Sequence, residues 1–379
     1  MYSLDQFALM FADKIRMEAY SAAIARSVRP GDAVVDLGCG PGVFALLACK
    51  AGARRVYAID MDGVVDFGRQ LASANGFGDK ILFLRGDSRQ IHLPERVNVL
   101  VSDVRGVLPL HSNAIDTIED ARDRFLEMDG CLLPSRDTLF AAIVELPERY
   151  GELTRAWRAV PELDLSSGLP LVLNTIYRHN IKPQQVLSSS RPWHVLDYTK
   201  GAKIPAQARL ELPIARTTIA HGIGIWFQTQ LTGDIGYSTE PNSLETVYGH
   251  LFLPWLEPVS LREGEICGVD LRADLVGTDY IWRWETDIPP SAERQQVRFV
   301  QSSFYGSLFP PSVLRKRAIG FVPVLNETGQ AERWIFQAID GKRPLEDIAA
   351  EAARLFPHVF RRAEDAFNQA AEIAEKFSR

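Results

Sequence analysis

Val34-Val35-Asp36-Leu37-Gly38-Cys39-Gly40-Pro41-Gly42, running into Val43-Phe44-Ala45-Leu46-Leu47-Ala48-Cys49-Lys50-Ala51, decides the fold of this chain. An apolar run that reads as a buried strand (Ala33 to Leu37) exits into Gly38, Gly40 and Gly42 and then into a helix from about Val43 to Ala51. Glycines let a backbone turn sharply and approach a ligand where a Cβ would collide. The helix that follows offers its first amides to an anionic group. A second strand, Arg55 to Ile59, ends on Asp60, about 20 residues past the loop, where a carboxylate can hold two sugar hydroxyls. Working outward, the pattern predicts a helix near Val64 to Asn75 and strands Ile81 to Arg85 and Val97 to Ser102. Upstream, Phe11, Ile15, Tyr20, Ile24 and Val28 repeat at helical spacing until Pro30-Gly31 stops them. Strand and helix alternating through tight glycine turns predict an α/β class, a doubly wound Rossmann-like sheet over residues 1–145.

The texture changes beyond that point. Short alternating segments such as Leu210 to Ile214, Gly222 to Thr232 and Ile266 to Leu275 are separated by Pro, Gly and Asn turns. They predict an antiparallel β-barrel domain over residues 146–312, with an irregular insertion at about 150–200. A third texture covers residues 313–379: a strand-like stretch from Ala318 to Leu325, then helical patterns at Glu332–Ala338, Leu345–Leu355 and Arg361–Phe377. This predicts a small winged-helix or helical domain.

Composition narrows the function classes. A chain of 379 residues suggests two or three domains. A net charge of -6 argues against a nucleic-acid partner, because phosphate binding needs a basic face. No apolar run is long enough to span a membrane, and Met1 to Arg16 lack an export signal, so a cytoplasmic location is expected. Cys39, Cys49, Cys131 and Cys267 show no CxxC spacing, so neither a metal site nor a disulfide framework is expected. Cys39 reads as a small packing residue.

An acid-led DxGxGxG loop differs from the GxGxxG of dinucleotide-binding domains. With Asp60 at its matching distance, it favours a methyl donor, S-adenosyl-L-methionine. The stretch Asp36–Asp60, including Ala51-Gly52-Ala53-Arg54-Arg55-Val56-Tyr57-Ala58-Ile59-Asp60, resembles the protein arginine methyltransferases. Met10, Asp13, Arg16 and Tyr20 match that family's pre-loop helix. Ser102, Gly106, Ala121-Arg122-Asp123, Leu126, Gly130, Leu133, Pro134 and Gly236-Tyr237-Ser238-Thr239-Glu240-Pro241 extend the resemblance across residues 1–310. It implies a head-to-tail homodimer whose arm lies near 150–200. It also implies a donor site drawn from Met10, Arg16, Asp36, Gly38, Cys39, Gly40, Gly42, Asp60, Met61, Asp87, Ser88 and Ser102. In it Arg16 would bind the donor's carboxylate, and Asp87 and Ser88 would sit at the adenine.

The departures bear on the acceptor. Where the family carries two glutamates to grip a guanidinium, this chain has Asp103 and Ser112, with His111 beside the latter. The family's Thr-His-Trp becomes Thr246-Val247-Tyr248, with His250 two residues on. Asp103, His111 and Ser112 are therefore the candidate catalytic residues. Asp103 could instead cap its loop, His111 could be merely solvated, and Tyr248 and Trp255 could be core or pocket-wall aromatics.

At the C-terminal end, Leu325-Asn326-Glu327-Thr328, Ile335, Ile339-Asp340-Gly341-Lys342-Arg343-Pro344 and Ile348-Ala349 resemble the peptide chaperone family of pyrroloquinoline quinone biosynthesis, a PqqD-like domain. That resemblance implies a module that holds the leader of a ribosomally made precursor peptide by strand addition. A helical cap on the barrel is the plainer alternative. The combined expectation is methylation of a peptide side-chain nitrogen, on arginine or histidine. Methylation of a free small molecule and a degenerate peptide-binding scaffold stay open as alternatives.

Overall fold

Two helices precede the first strand, α1 (Leu4–Ala12) and α2 (Lys14–Ser27). The apolar spacing from Phe11 to Val28 predicts one helix, and the structure, a computed structural model, breaks it at Asp13. The Asp13 carboxylate accepts from the Arg16 amide at 3.0 Å, so Asp13 caps a second helix rather than continuing the first. The structure describes residues 3–202, 204–241, 244–292, 294–308 and 311–378.

Next come β1 (Ala33–Leu37), α3 (Val43–Ala51), β2 (Arg55–Asp60), α4 (Val65–Ala74), β3 (Ile81–Arg85), β4 (Val97–Ser102), α5 (Ala114–Phe125) and β5 (Leu126–Leu133). Their strands form a parallel sheet in the order β3-β2-β1-β4-β5. Every residue of β1 is buried, as expected of a central strand covered on both faces. The chain runs outward from β1 to β3 and then returns to β4, which pairs with β1 so that Leu37 faces Ser102. That reversal opens a crevice beyond the carboxyl ends of β1 and β4, the place where such sheets bind ligands.

The antiparallel part holds β6 (Arg136–Val144), α6 (Pro147–Arg155), α7 (Leu169–Leu173), β7 (Tyr177–His179), β8 (Arg191–Asp197), β9 (Ala206–Pro213), β10 (Thr218–Thr232), β11 (Ile235–Ser238), β12 (His250–Leu261), β13 (Ile266–Val276), β14 (Asp279–Ile288) and β15 (Val297–Ser302). One sheet runs β7-β12-β10-β6-β8 with β11 on β10, and the other β15-β14-β13-β9. The barrel sheet starts earlier than the texture change near 145 suggests, because β6 pairs with β10 from Arg136 to Val144. Trp226, Trp255 and Trp284 are among the largest fully buried side chains.

The chain divides into two units, Met1–Ser307 and Leu308–Arg379. The second contains α8 (Pro311–Lys316), α9 (Glu327–Ala338), α10 (Leu345–Leu355) and α11 (Ala363–Phe377). Ala331, Ile335, Ile348, Ala352, Phe360, Ala366 and Ala370 form its core. Gly341 turns at φ +73° between α9 and α10, while Asp340 Oδ1 accepts from the Lys342 and Arg343 amides. The strand expected at Ala318 to Leu325 is absent: among the described residues this unit has no strand, and 321–326 carry no regular structure. An extended segment without a neighbour to pair its backbone groups does not make a sheet. The wing of a winged helix is therefore missing from the described residues, and the unit is helical. None of the described helices is long and apolar enough to cross a membrane.

Candidate functional site

The glycine loop sits at the crevice between β1 and β4. Gly38, Gly40 and Gly42 have φ of +70°, +52° and +83°, a region other residues rarely adopt. A Cβ on Gly38 would lie 2.3 Å from Val104 Cγ1, and one on Gly40 2.7 Å from Phe7 Cε1, so the segment after β4 and helix α1 close directly on the loop. The Gly38 and Cys39 amides donate to Ile59 O at 2.9 and 3.0 Å, which binds the loop to the end of β2. There the Asp60 carboxylate accepts from Gly40 N at 2.8 Å through Oδ2 and from Asp62 N at 2.9 Å through Oδ1. A carboxylate has about four acceptor positions, so each oxygen of this partly exposed group keeps room for a further donor.

Asp36 lies beneath the loop. Its Oδ2 accepts from Ala45 N at 2.9 Å in the first turn of α3, and its buried Oδ1 has no partner among the described residues. Burial pushes its pKa up to about 7, against the pull of the Ala45 amide. The folded chain thus holds this proton more tightly than the unfolded one. Asp36 contributes stability that is complete below the unfolded value of about 3.9 and is lost as pH rises through about 7. Asp36→Asn should therefore flatten the fall of melting temperature between about pH 4 and pH 7. Equal slopes for the two proteins, read by thermal melts across that range, would rule this out.

The other expected donor residues fall into three situations. Gly42 caps α3, and Cys39 is buried with its thiol directed to Gly40 O at 3.4 Å, burial holding its pKa far above normal. Asp87 pairs with Arg89, and the backbone of buried Ser88 accepts from Arg124 Nη2 at 2.6 Å. Met10 offers its carbonyl to Arg16 Nη1 at 3.3 Å. Ser102 and Met61 sit in opposite environments. Ser102 is fully buried, with Oγ donating to Leu37 O at 3.2 Å and its carbonyl accepting from Tyr20, so it joins β4 to β1 and α2. Met61 is 71% exposed.

Asp103, expected as a catalytic residue or a loop cap, has a side chain that is 5% exposed and already paired on both oxygens. Oδ2 accepts from Arg16 Nε at 2.6 Å and from Tyr248 Oη at 2.5 Å. Oδ1 accepts from Arg105 Nη2 at 3.1 Å and Nε at 3.3 Å. Burial alone would raise its pKa, but Arg16 and Arg105 outweigh burial and hold the carboxyl below its ordinary range. His111 and Ser112 are not brought to it: no hydrogen bond joins them to Asp103 among the described residues. His111 is exposed, its ring against Gly106, and Ser112 turns the chain at φ +43°. His250, the other histidine near this region, is buried and fixed, with Nδ1 accepting from Ile181 N at 2.9 Å and Nε2 donating to Thr239 O at 2.6 Å.

What the sequence reading missed is Arg105, fully buried between the two sheets. Its Nη1 donates to Asp137 Oδ1 and Thr229 Oγ1, both at 2.7 Å, and its Nη2 to Tyr20 Oη at 2.9 Å and Tyr237 Oη at 2.8 Å. Tyr198 Oη donates to the second oxygen of Asp137 at 2.7 Å, and Tyr237 donates to Tyr248 at 3.0 Å. Only an arginine inside the otherwise apolar run Val104 to Leu110 hinted at this network.

Residues 18–114 match the model of the ribosomal protein L11 methyltransferase (PrmA) family. Over 247 residues the chain is 31% identical to "Probable protein arginine N-methyltransferase 6" of Arabidopsis thaliana, covering 62% of this chain and 56% of that protein. It is 29% identical over 247 residues to protein arginine N-methyltransferase 1 of Saccharomyces cerevisiae, covering 62% and 70%. The match therefore spans little more than half of the Arabidopsis relative's own length. Among solved structures, the Trypanosoma brucei PRMT1 enzyme-prozyme heterotetrameric complex with AdoHcy superposes with a TM-score of 0.73 at 23% identity, over 78% of this chain and 97% of that one. Arabidopsis thaliana protein arginine methyltransferase 10 gives 0.69 at 22% identity, over 77% and 95%. The parallel sheet, the antiparallel barrel after it and these superpositions together establish that this chain has the fold of the protein arginine methyltransferases.

Proposed function

We propose that this chain is an S-adenosylmethionine-dependent N-methyltransferase that acts on a side-chain nitrogen, of arginine or histidine, in a peptide. The observation that carries the donor half is Asp60 locked to the glycine loop through Gly40 N, with both oxygens still able to accept. The residues fit the donor. Asp60 suits the two ribose hydroxyls, and the N-terminus of α3 suits a carboxylate. Arg16 suits the same carboxylate, since its Nη2 makes no hydrogen bond among the described residues. Asp87 and Ser88, just past β3, are the residues assigned to the adenine in this reading. When bound, the donor supplies an electrophilic methyl on a sulfonium, and transfer then depends mainly on how closely the chain holds the acceptor in line. The methyltransferase names of the relatives in sequence support the same reading. Calorimetry with S-adenosylmethionine, followed by mass spectrometry of peptides incubated with both, tests it. Absence of saturable donor binding would end it.

The acceptor half of the proposal rests on the C-terminal unit. Its Leu325 to Thr328 and Asp340-Gly341 segments resemble a leader-binding module, which supports a ribosomally made precursor peptide as substrate. With no strand described in that unit, recognition there would use its helices. A homodimer built through residues 150–200 belongs to the same proposal. Deleting residues 308–379 should leave donor affinity unchanged and raise the apparent KM for a full precursor, with little effect on a leaderless peptide. Equal losses for both peptides in steady-state kinetics would return the unit to a structural role.

A further inference from the structure

The buried cluster around Asp103 is balanced in charge, and its central pair, Asp103 and Arg105, is closed in hydrogen bonding. Arg105 uses all its N–H directions on Asp103, Asp137, Thr229, Tyr20 and Tyr237. Asp103 receives four donors, which fills the roughly four acceptor positions of a carboxylate. Asp137 takes Arg105 on one oxygen and Tyr198 on the other. Arg16 and Arg105 balance Asp103 and Asp137, so the cluster carries no net charge. A guanidinium arriving beside Asp103 would find no open position on that carboxylate and would add an uncompensated cation to a buried site, which is strongly unfavourable.

Resting on the proposed N-methyl transfer, we infer that Arg105 sets the acceptor class: by occupying Asp103 and Asp137 itself, it refuses a guanidinium and leaves the site to the neutral imidazole of a histidine side chain. Above its pKa of about 6.5, imidazole is uncharged and offers an in-plane lone pair. That pair forms the N–C bond while the S–C bonding pair returns to sulfur, turning the sulfonium into a thioether. The positive charge delivered to the ring leaves as its other N–H proton, taken by water. A lysine ammonium, charged below a pKa of about 10.4, is excluded on the same ground as the guanidinium.

The test uses the full chain, S-adenosylmethionine and two peptides that differ only in one histidine or one arginine, with donor affinity measured on the same preparation. Tandem mass spectrometry should place the methyl on the imidazole, with the arginine peptide at least about tenfold slower. Arg105→Ala should raise the arginine-to-histidine rate ratio, whereas Arg105→Lys, which keeps the cation, should leave it unchanged. Independently of turnover, millimolar methylguanidinium should raise the melting temperature of Arg105→Ala and not that of the parent. If Arg105→Ala does not fold, the parent and Arg105→Lys still decide. Comparable rates on both peptides, or methyl on neither while the donor binds, overturn the inference. Failure of donor binding removes the proposed function and the inference with it.

Discussion

Arg105→Ala is expected to destabilise the protein by about 3–5 kcal/mol, because it strands buried carboxylates without their cation. Asp137 and Arg105 are both fully buried and meet at 2.7 Å, so the variant leaves Asp137 with Tyr198 as its hydrogen-bonding side chain. Asp103 suffers less, since Arg16 still holds its other oxygen. Removing Asp137 as well takes away the uncompensated charge. The Arg105→Ala, Asp137→Ala double variant should therefore lose less than the sum of the single losses, by about 0.5–3 kcal/mol. Urea denaturation of the four proteins supplies the cycle. A single-variant loss below about 1 kcal/mol, or strict additivity, would show that the network is not a coupled unit.

Asp60→Ala should lower donor affinity by tenfold or more while changing stability little. Hydrogen bonds to a charged group contribute about 1.5–3 kcal/mol each, and about 1.4 kcal/mol is a factor of ten. Two hydroxyl contacts would be lost, and Gly40 N would also lose the partner that fixes the loop. Asp60→Asn, which keeps an acceptor oxygen but not the charge, should fall between the two. Calorimetric titration of the three proteins would separate these outcomes. Equal affinities across them would remove the ribose role from Asp60.

These two expectations differ in how much of their basis the sequence carries. Gly40 and Asp60 are 20 positions apart and lie at the ends of neighbouring strands, β1 and β2, so spacing alone sets them together. The same holds for the glycines, whose positive φ and close packing exclude a side chain. The C-terminal strand from Ala318 to Leu325 was misleading for the opposite reason. Its apolar, strand-like run is local, but a strand exists only where a neighbour pairs its backbone, and the described residues supply none.

By itself, then, the sequence determined the doubly wound sheet, the glycine loop and the acid that answers it, because strand periodicity, glycine turns and short spacings are local properties of the chain. Only the tertiary structure decided the state of Asp103. Its neighbour Arg105 meets Asp137, Thr229 and Tyr237 across 32, 124 and 132 positions, and Arg16 meets Asp103 across 87. No periodicity encodes such meetings. They follow from β6, β10 and β11 folding back over the mouth of the parallel sheet, where low dielectric makes every buried charge find a partner. Asp103, which the sequence offers as a candidate to orient an acceptor, is in three dimensions already held by two arginines of its own chain.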